Sequence, residues 1–440
     1  MKERFFDLAD HAIGQLQGPE LLLVNFSGES SDFVRFNRAR VRQAGSVMQA
    51  NLCLTLIDGG RRLRTTLAIA FNEAADREAI GSAIRTMRSD LSCLPVDPFL
   101  LFATETHNSN LERRGRLPSA EEAVDTVIAG GAGADLVGIF ASGPVCRGFA
   151  NSLGQRNWHR VDSFQLDWSV FLAGDKAVKS TYARETWDAG DLSRRIQASR
   201  DQLQHLAVAP RDIEPGQYRA FLTPAAVDEL VSMLNWDGVS ARSQLTRQSA
   251  LQRLVDGDSA LADQITLREN TAEGLAPSFD ESGFARPAQV SLIAGGVHSG
   301  ALVSARTAKE YDLQANGANE QESMQSGDLD GGRLPMSESL AALDCGILVA
   351  NLWYLNFSDR ASCRITGMTR FATFWVDHGR IVAPLPVMRF DDSIYRLLGD
   401  GLEALTRERE WIQSGSTYGQ RSVESSRVPG ALLSGLTLTL

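Results

Sequence analysis

The sequence predicts an α+β protein of mostly antiparallel sheets, with a large β-rich C-terminal domain. Three observations carry that expectation. Runs of alternating apolar and polar residues recur with tight-turn signals between them, as at Asp58-Gly59-Gly60. Helical spacing is confined to short separate segments, such as the one carrying Ala75, Ile80, Ile84 and Met87. Strands and helices do not alternate in the regular order that a parallel βαβ sheet requires.

Taken in order, residues 3–16 read as a short amphipathic helix and 20–26 as a compact apolar strand. A mixed stretch over 33–42 leads to a turn predicted at Ala44-Gly45-Ser46. The following strand, 47–57, has Val47, Leu52, Leu54 and Leu56 as apolar members, and the Asp58-Gly59-Gly60 turn returns the chain as a strand over 62–70. Three strands joined by tight turns predict an antiparallel meander, and 72–94 a helix packed with it. Breakers between 95 and 118 mark a connector. Ser119, with Glu122 three residues later, forms a capping box that opens a helix ending in Gly130-Gly131-Ala132-Gly133. Because those glycines follow a helix and precede the strand 136–141, they read as a helix stop and not as a phosphate-cradling loop. From 136 to 187, alternation with turns at Asn151-Ser152-Leu153-Gly154 and Ala173-Gly174-Asp175-Lys176 predicts a second antiparallel sheet. A helix over 191–206 and a linker over 210–215 follow. The strand 218–222 runs into a helix with Thr223 as N-cap and Pro224 at its first position. A helix near 392–408 and a Ser-rich tail with an apolar end are expected to close the chain. The resulting division is an N-terminal α+β domain (1–95), a central hairpin and helix domain (119–209) and a C-terminal domain (216–440).

Composition limits the function. With 43% hydrophobic and 22% charged residues, the 440-residue chain has ample material for a core. A net charge of −10 argues against a nucleic-acid partner, because phosphate binding needs a basic patch. The runs Arg61-Arg62-Leu63-Arg64 and Arg113-Arg114-Gly115-Arg116 read as solvated surface. Cys53, Cys93, Cys146, Cys345 and Cys363 include no CxxC pair and read as reduced thiols. No secretory signal and no apolar run of about 18 residues is present, so the expectation is a cytoplasmic protein without a membrane partner.

Candidate chemistry is sparse. The six histidines include no pair at metal-ligand spacing on one helix, and no GxSxG elbow occurs. Asp280-Glu281 reads as a turn feature rather than an acid–base pair. Arg360, Arg364 and Arg370 lie close in sequence, placed either to meet a peptide carboxylate bidentately or to pair with the acidic surface. His298 sits between Gly296 and Gly300.

Several segments of the third region fall in a telling order. They are Ser278-Phe279-Asp280-Glu281-Ser282-Gly283-Phe284-Ala285, then Val290-Ser291-Leu292-Ile293 with Gly295-Gly296-Val297, then Ala301 to Ala308 and Asn316-Gly317. Gly346-Ile347-Leu348-Val349 and the hairpin-like run from Phe371 to Pro384 complete the series. This series resembles the TldD/PmbA family of metallopeptidase-like proteins. The resemblance covers about 160 residues, with the Asn151 turn as an upstream extension, and it implies a TldD/PmbA-like fold. The family's active members carry zinc on a helical HExxxH, whose two His bind the metal and whose Glu activates water, with a Cys from the late hairpin region. Here the corresponding helix runs from Ala225 to Leu234. Asp228 stands at the first His position, Glu229 at the Glu and Met233 at the second His, and Arg370 falls near the Cys position. One carboxylate and a thioether do not make a zinc site. The spacing of Val227, Leu230, Val231 and Leu234 is that of a plain apolar face, and Glu229 reads as a surface residue.

What the resemblance implies is a non-catalytic subunit of the TldE/PmbA, or modulator of DNA gyrase, type. Such a chain carries no cofactor of its own and pairs with a TldD-like zinc-bearing paralogue to cleave unfolded or leader peptides. His298, Arg360, Arg364 and Arg370 are the candidate peptide- or partner-facing residues. The alternatives are a stand-alone homodimeric peptide-binding protein and a peptidase with an unrecognised site.

Overall fold

The computed structural model describes residues 1–174 and 176–439. Five helices are used below: α1 (Lys2–Ile13), α2 (Glu73–Leu91), α3 (Ala120–Gly131), α4 (Ala189–Leu206) and α5 (Pro224–Leu234). Three start where the sequence supplies a side-chain oxygen for an orphan backbone N–H: Asn72 accepts from Ala75, Ser119 from Glu122 and Asp188 from Asp191. Thr223 holds the N-cap position of α5, but its hydroxyl donates instead to the Ala350 carbonyl at 2.6 Å, tying the helix start to a neighbouring strand.

Seven strands form the first sheet: β1 (Leu21–Asn37), β2 (Arg40–Asp58), β3 (Arg61–Ala68), β4 (Ser109–Arg113), β5 (Asp135–Asn151), β6 (Arg156–Ala173) and β7 (Lys176–Arg184). Their order is β3-β2-β1-β5-β6-β4, with β7 also on β6. The meander β1-β2-β3 is as expected, including the Asp58-Gly59-Gly60 turn, where both glycines have positive φ. Two expectations are corrected. The first hairpin turns at Arg38-Ala39 (φ 53° and 51°), and Gly45 lies inside β2 opposite Phe33. The left-handed conformation of Ala39 is held by tertiary contact: it is buried, and its N–H donates to the Leu136 carbonyl at 2.9 Å. The second sheet expected over 136–187 is the same sheet, because β5 pairs with β1 along twelve positions. A single alternation pattern does not say which strands become neighbours. The β6–β7 turn includes Asp175, which lies outside the described residues, with Ala173 paired to Lys176 across it.

The C-terminal sheet has eleven strands: β8 (Gly216–Leu222), β9 (Leu267–Glu269), β10 (Val290–Ala294), β11 (Val297–His298), β12 (Ser326–Leu329), β13 (Gly346–Asp359), β14 (Arg364–Asp377), β15 (Arg380–Pro384), β16 (Arg389–Ser393), β17 (Leu402–Gln413) and β18 (Ser425–Leu438). Among the described residues three strand pairs are parallel (β4–β6, β8–β13 and β12–β18), and the other pairings are antiparallel. The late hairpin of the sequence is β14–β15, turning at His378-Gly379. The helix expected near 392–408 is absent. That stretch is β16, a π-helical turn over 396–400 and β17. Its apolar residues mimic a helical period, but Gly399 adopts φ −110° and ψ −117°, and the segment beyond it pairs with β18. The expected tail is likewise β18, which bonds to β8, β12, β16 and β17.

Helices α1 and α2 cover one part of the first sheet through Phe5, Leu8, Ile80 and Ile84, and α3 and α4 cover another through Val127 and Ile196, which share a cluster with Trp168 of β6. Helix α5 is central to the C-terminal core, where Val227 and Leu230 meet Leu292, Ile347 and Leu433 in one cluster. A fourth cluster, with Val178, Leu206, Phe221 and Phe374, joins the two sheets. No helix among the described residues is long and apolar enough to cross a membrane.

Candidate functional site

The two faces of α5 differ as its sequence dictates. Val227, Leu230, Val231, Met233 and Leu234 are all buried in the C-terminal core. Asp228, Glu229 and Ser232 turn outward into a cleft of about 340 Å³. Asp167 of β6 and Lys179 of β7 form part of its wall, and Asn351, Gln413 and residues 424–426 contribute from the C-terminal sheet.

The cleft is acidic. Burial pushes the Asp228 carboxyl above its ordinary range, opposed by a hydrogen bond donated by Ser426 at 2.5 Å. Glu229 is raised by desolvation and then by the adjacent Asp228, and Asp167 and Glu424 are raised by desolvation. Glu229 and Glu424 present open surface, yet they line a concavity, where crowded atoms displace part of their hydration. The buried Asn351 Oδ1 and Gln413 Oε1 line the same cleft and have no hydrogen-bond partner among the described residues.

The residues at the positions of the expected metal ligands do not fit zinc. Met233 is 3% exposed and packs in the core, so its thioether is spent on packing. Asp228 is engaged by Ser426. Arg370, opposite Asn351 in the β13–β14 register, lies 3.9 Å over the Trp353 ring. Among the described residues no group of three or more His, Cys, Asp or Glu is gathered to hold a metal. Cys363 is buried, its thiol pushed up to about 12 by desolvation, which opposes the thiolate that zinc requires.

The other candidates do not converge. Arg360 pairs with Asp237 at 3.4 Å and Arg364 with Asp391, whereas Arg370 has no acidic partner among the described residues. His298, at the far end of the sheet, lies 3.2 Å from Gln244 Oε1, and burial lowers its pKa. Asp280 and Glu281 divide as a turn: Asp280 accepts from the Ser282 and Phe284 N–H groups, and Glu281 pairs with Arg64 at 2.7 Å. Arg147 and Arg421, discussed below, carried no motif in the sequence. Each is a lone arginine on a strand or loop, and only strand register and domain packing give it surroundings.

Burial pushes Asp280 up to about 7, outweighing those two N–H bonds and Arg286. The native state then holds a proton that the unfolded chain has released above the ordinary carboxyl value of 3.8. The associated stability is present in full below that value and is lost as pH rises through 7. Asp280→Asn keeps an accepting oxygen for the turn. Its thermal midpoint is expected to fall less than the wild type's between pH 5 and pH 8; equal falls would show that Asp280 does not titrate there.

Comparison with known proteins agrees with this architecture. A family model described as the PmbA/TldA metallopeptidase C-terminal domain matches residues 215–440. Comparison with curated protein sequences finds no match. The fold is similar to the crystal structure of TldE from Thermococcus kodakarensis, with a TM-score of 0.77 at 13% identity, covering 100% of both chains. It is also similar to a putative modulator of a DNA gyrase from Thermotoga maritima, with a TM-score of 0.76 at 14% identity, covering 100% of this chain and 99% of that one. A putative modulator of DNA gyrase from Bacteroides thetaiotaomicron gives a TM-score of 0.74 at 15% identity, covering 100% of this chain and 98% of that one. With a family model spanning the C-terminal half and the arrangement of both sheets shared along the whole chain, this protein belongs to the PmbA/TldD family of metallopeptidase-like proteins.

Proposed function

We propose that this chain is the non-catalytic subunit of a two-chain peptidase, working in the cytoplasm beside a zinc-bearing paralogue on unfolded or leader peptides. The observation that carries the reading is the composition of α5. At the positions where the family's active members hold two imidazoles, it has Asp228, bonded to Ser426, and Met233, packed in the core. Hydrolysis at neutral pH needs an activated water, and neither side chain supports the metal that would activate it.

Two surface features support binding roles. Residues 40–49 of β2 run beyond the end of β3, which covers only 51–58, so their outer backbone groups form an open sheet edge. An extended peptide adds to such an edge through main-chain hydrogen bonds. The β13–β14 hairpin presents Trp353 and Tyr354, the latter 77% exposed at φ 57°. A bulky residue in the left-handed region is a strained feature of the sort found at functional sites. Trp, Tyr and Arg370 beside them are the residue types enriched at the energetic centre of protein interfaces.

The test is co-expression with the paralogue encoded in the same genome, followed by an assay on an unstructured peptide. The two chains are expected to co-purify and cleave together. This chain alone is expected to show no cleavage and no stoichiometric zinc, and Glu229→Gln in it to leave the mixture's activity nearly unchanged. A paralogue equally active alone, with no co-purification, would refute the subunit reading. One equivalent of zinc lost on mutating Asp228 or Glu229 would refute the metal-free reading.

A further inference from the structure

A second cavity, of about 280 Å³, lies between the first sheet and the 277–286 segment of the C-terminal domain. Its floor is a polar row across three neighbouring strands. Asn51 faces Ser27, and Ser27 faces Arg147, in the registers of β2, β1 and β5, with the buried His159 of β6 opposite Arg147 behind the lining. Arg64, Asp280, Glu281, Arg286, Asn319 and Gln325 contribute the remaining polar lining.

Most of the charges here are satisfied within the chain. Arg64 pairs with Glu281 at 2.7 Å where the cavity meets solvent. Arg286 is fixed by Glu269 at 2.5 Å. Asp280 is held by its own turn. Arg147 differs. Its one hydrogen bond to described residues runs from Nη1 to the Cys146 carbonyl at 2.9 Å, and no described carboxylate oxygen lies within 4.0 Å of it. Glu29, Glu281 and Glu424 act on it only from beyond ion-pair range. Burial lowers its pKa, as expected of a desolvated cation. A half-buried guanidinium facing a cavity without a counter-charge is unfavourable, and native chains pair such groups.

We propose that this cavity binds a carboxylate, seated on the free guanidinium edge of Arg147. A guanidinium presents two parallel N–H donors that match a carboxylate in geometry and charge. A monoanion fits better than a phosphate. Glu281 on the opposite wall repels a second negative charge, and the other lining cations, Arg64 and Arg286, are already paired with Glu281 and Glu269. The volume suits a group of a few heavy atoms, such as a peptide's C-terminal residue or a small free acid. The site stands apart from the acidic cleft of α5. Val423 lines one cavity and Glu424 the other, so a single strand of chain is their common wall. The proposal therefore does not depend on the subunit reading, because no paralogue and no cleavage enter its test.

The experiment is calorimetric titration of the full chain, at neutral pH and low salt, with three probes: N-acetyl-tetra-alanine with a free C-terminus, its C-terminal amide, and butyrate. At least one carboxylate is expected to bind and the amide to fail. Binding of the peptide acid alone identifies a peptide C-terminus as the ligand, and binding of butyrate alone a small free acid. Arg147→Met is expected to weaken the binding at least about ten-fold, the share of a charged hydrogen bond. Because it removes an unpaired, partly desolvated charge, it is also expected to raise the melting temperature of the ligand-free protein. Failure of both carboxylates to bind, equal binding of the amide, or unchanged affinity in Arg147→Met overturns the proposal.

Discussion

Arg421→Met is expected to lower the unfolding free energy by about 3–5 kcal/mol, the range for breaking a buried charged network. Arg421 is 0% exposed, and it belongs to the C-terminal domain while bonding to the first sheet. Its Nη1 donates to the Gly143 carbonyl at 2.9 Å, and its Nη2 donates to the carbonyl and hydroxyl of Ser163, each at 2.9 Å. Glu29, 1% exposed, is the acidic group whose field favours the charged form of Arg421, while burial lowers its pKa to about 10. Methionine fills similar volume but supplies no donor, so these oxygens lose their partner and the buried Glu29 loses the field of a nearby cation. The segment around Arg421 also walls both cavities, with Gln413 to Gly415 on one side and Val423 on the other. Loosening it is expected to speed proteolysis between 413 and 425 as well as to lower the urea midpoint. A variant with wild-type midpoint and cleavage rate would show that the anchor contributes nothing.

Glu269→Gln is expected to cost a similar amount, about 3–5 kcal/mol, for a related reason. The Arg286–Glu269 pair is the most enclosed ion pair among the described residues, with side chains 3% and 2% exposed. Glu269 also accepts the N–H groups of Gln325 and Ser326 at 2.9 and 3.0 Å, which fixes the start of β12. Neutralising the acid leaves the Arg286 charge buried without its ion-pair partner, with the Gln325 amide oxygen still accepting from it and Asp280 acting on it from farther off. The double variant Glu269→Gln with Arg286→Met removes both charges and is expected to recover a substantial part of the loss. Chemical denaturation of the four proteins closes the cycle. Additive losses in the double variant would exclude coupling between the two side chains.

The sequence by itself determined the local elements whose signals act over a few residues. The capping oxygen of Ser119, the glycine turn at 59–60 and the apolar stripe of α5 need no distant partner to act, and the structure places them as read. Ordered short motifs also pointed to the family, and Gly317 shows why one of them has the residue it has. At φ 71°, a Cβ there would sit 2.6 Å from Arg286 Cγ, so a side chain would displace the buried ion pair. Tertiary structure decided the rest. The turn at Arg38-Ala39 exists because Ala39 reaches the Leu136 carbonyl, a contact 97 residues away that no local propensity encodes. The last fifth of the chain spaces Ile394, Leu397, Leu398 and Leu405 like a helix, yet β18 captures its second half as β17, because pairing along that edge satisfies backbone groups while Leu402 and Leu405 stay in the core. Strand neighbours were equally invisible. Alternation says that a strand has two faces, but only the assembled register sets Arg147 beside Ser27 and His159 and leaves its charge facing a cavity.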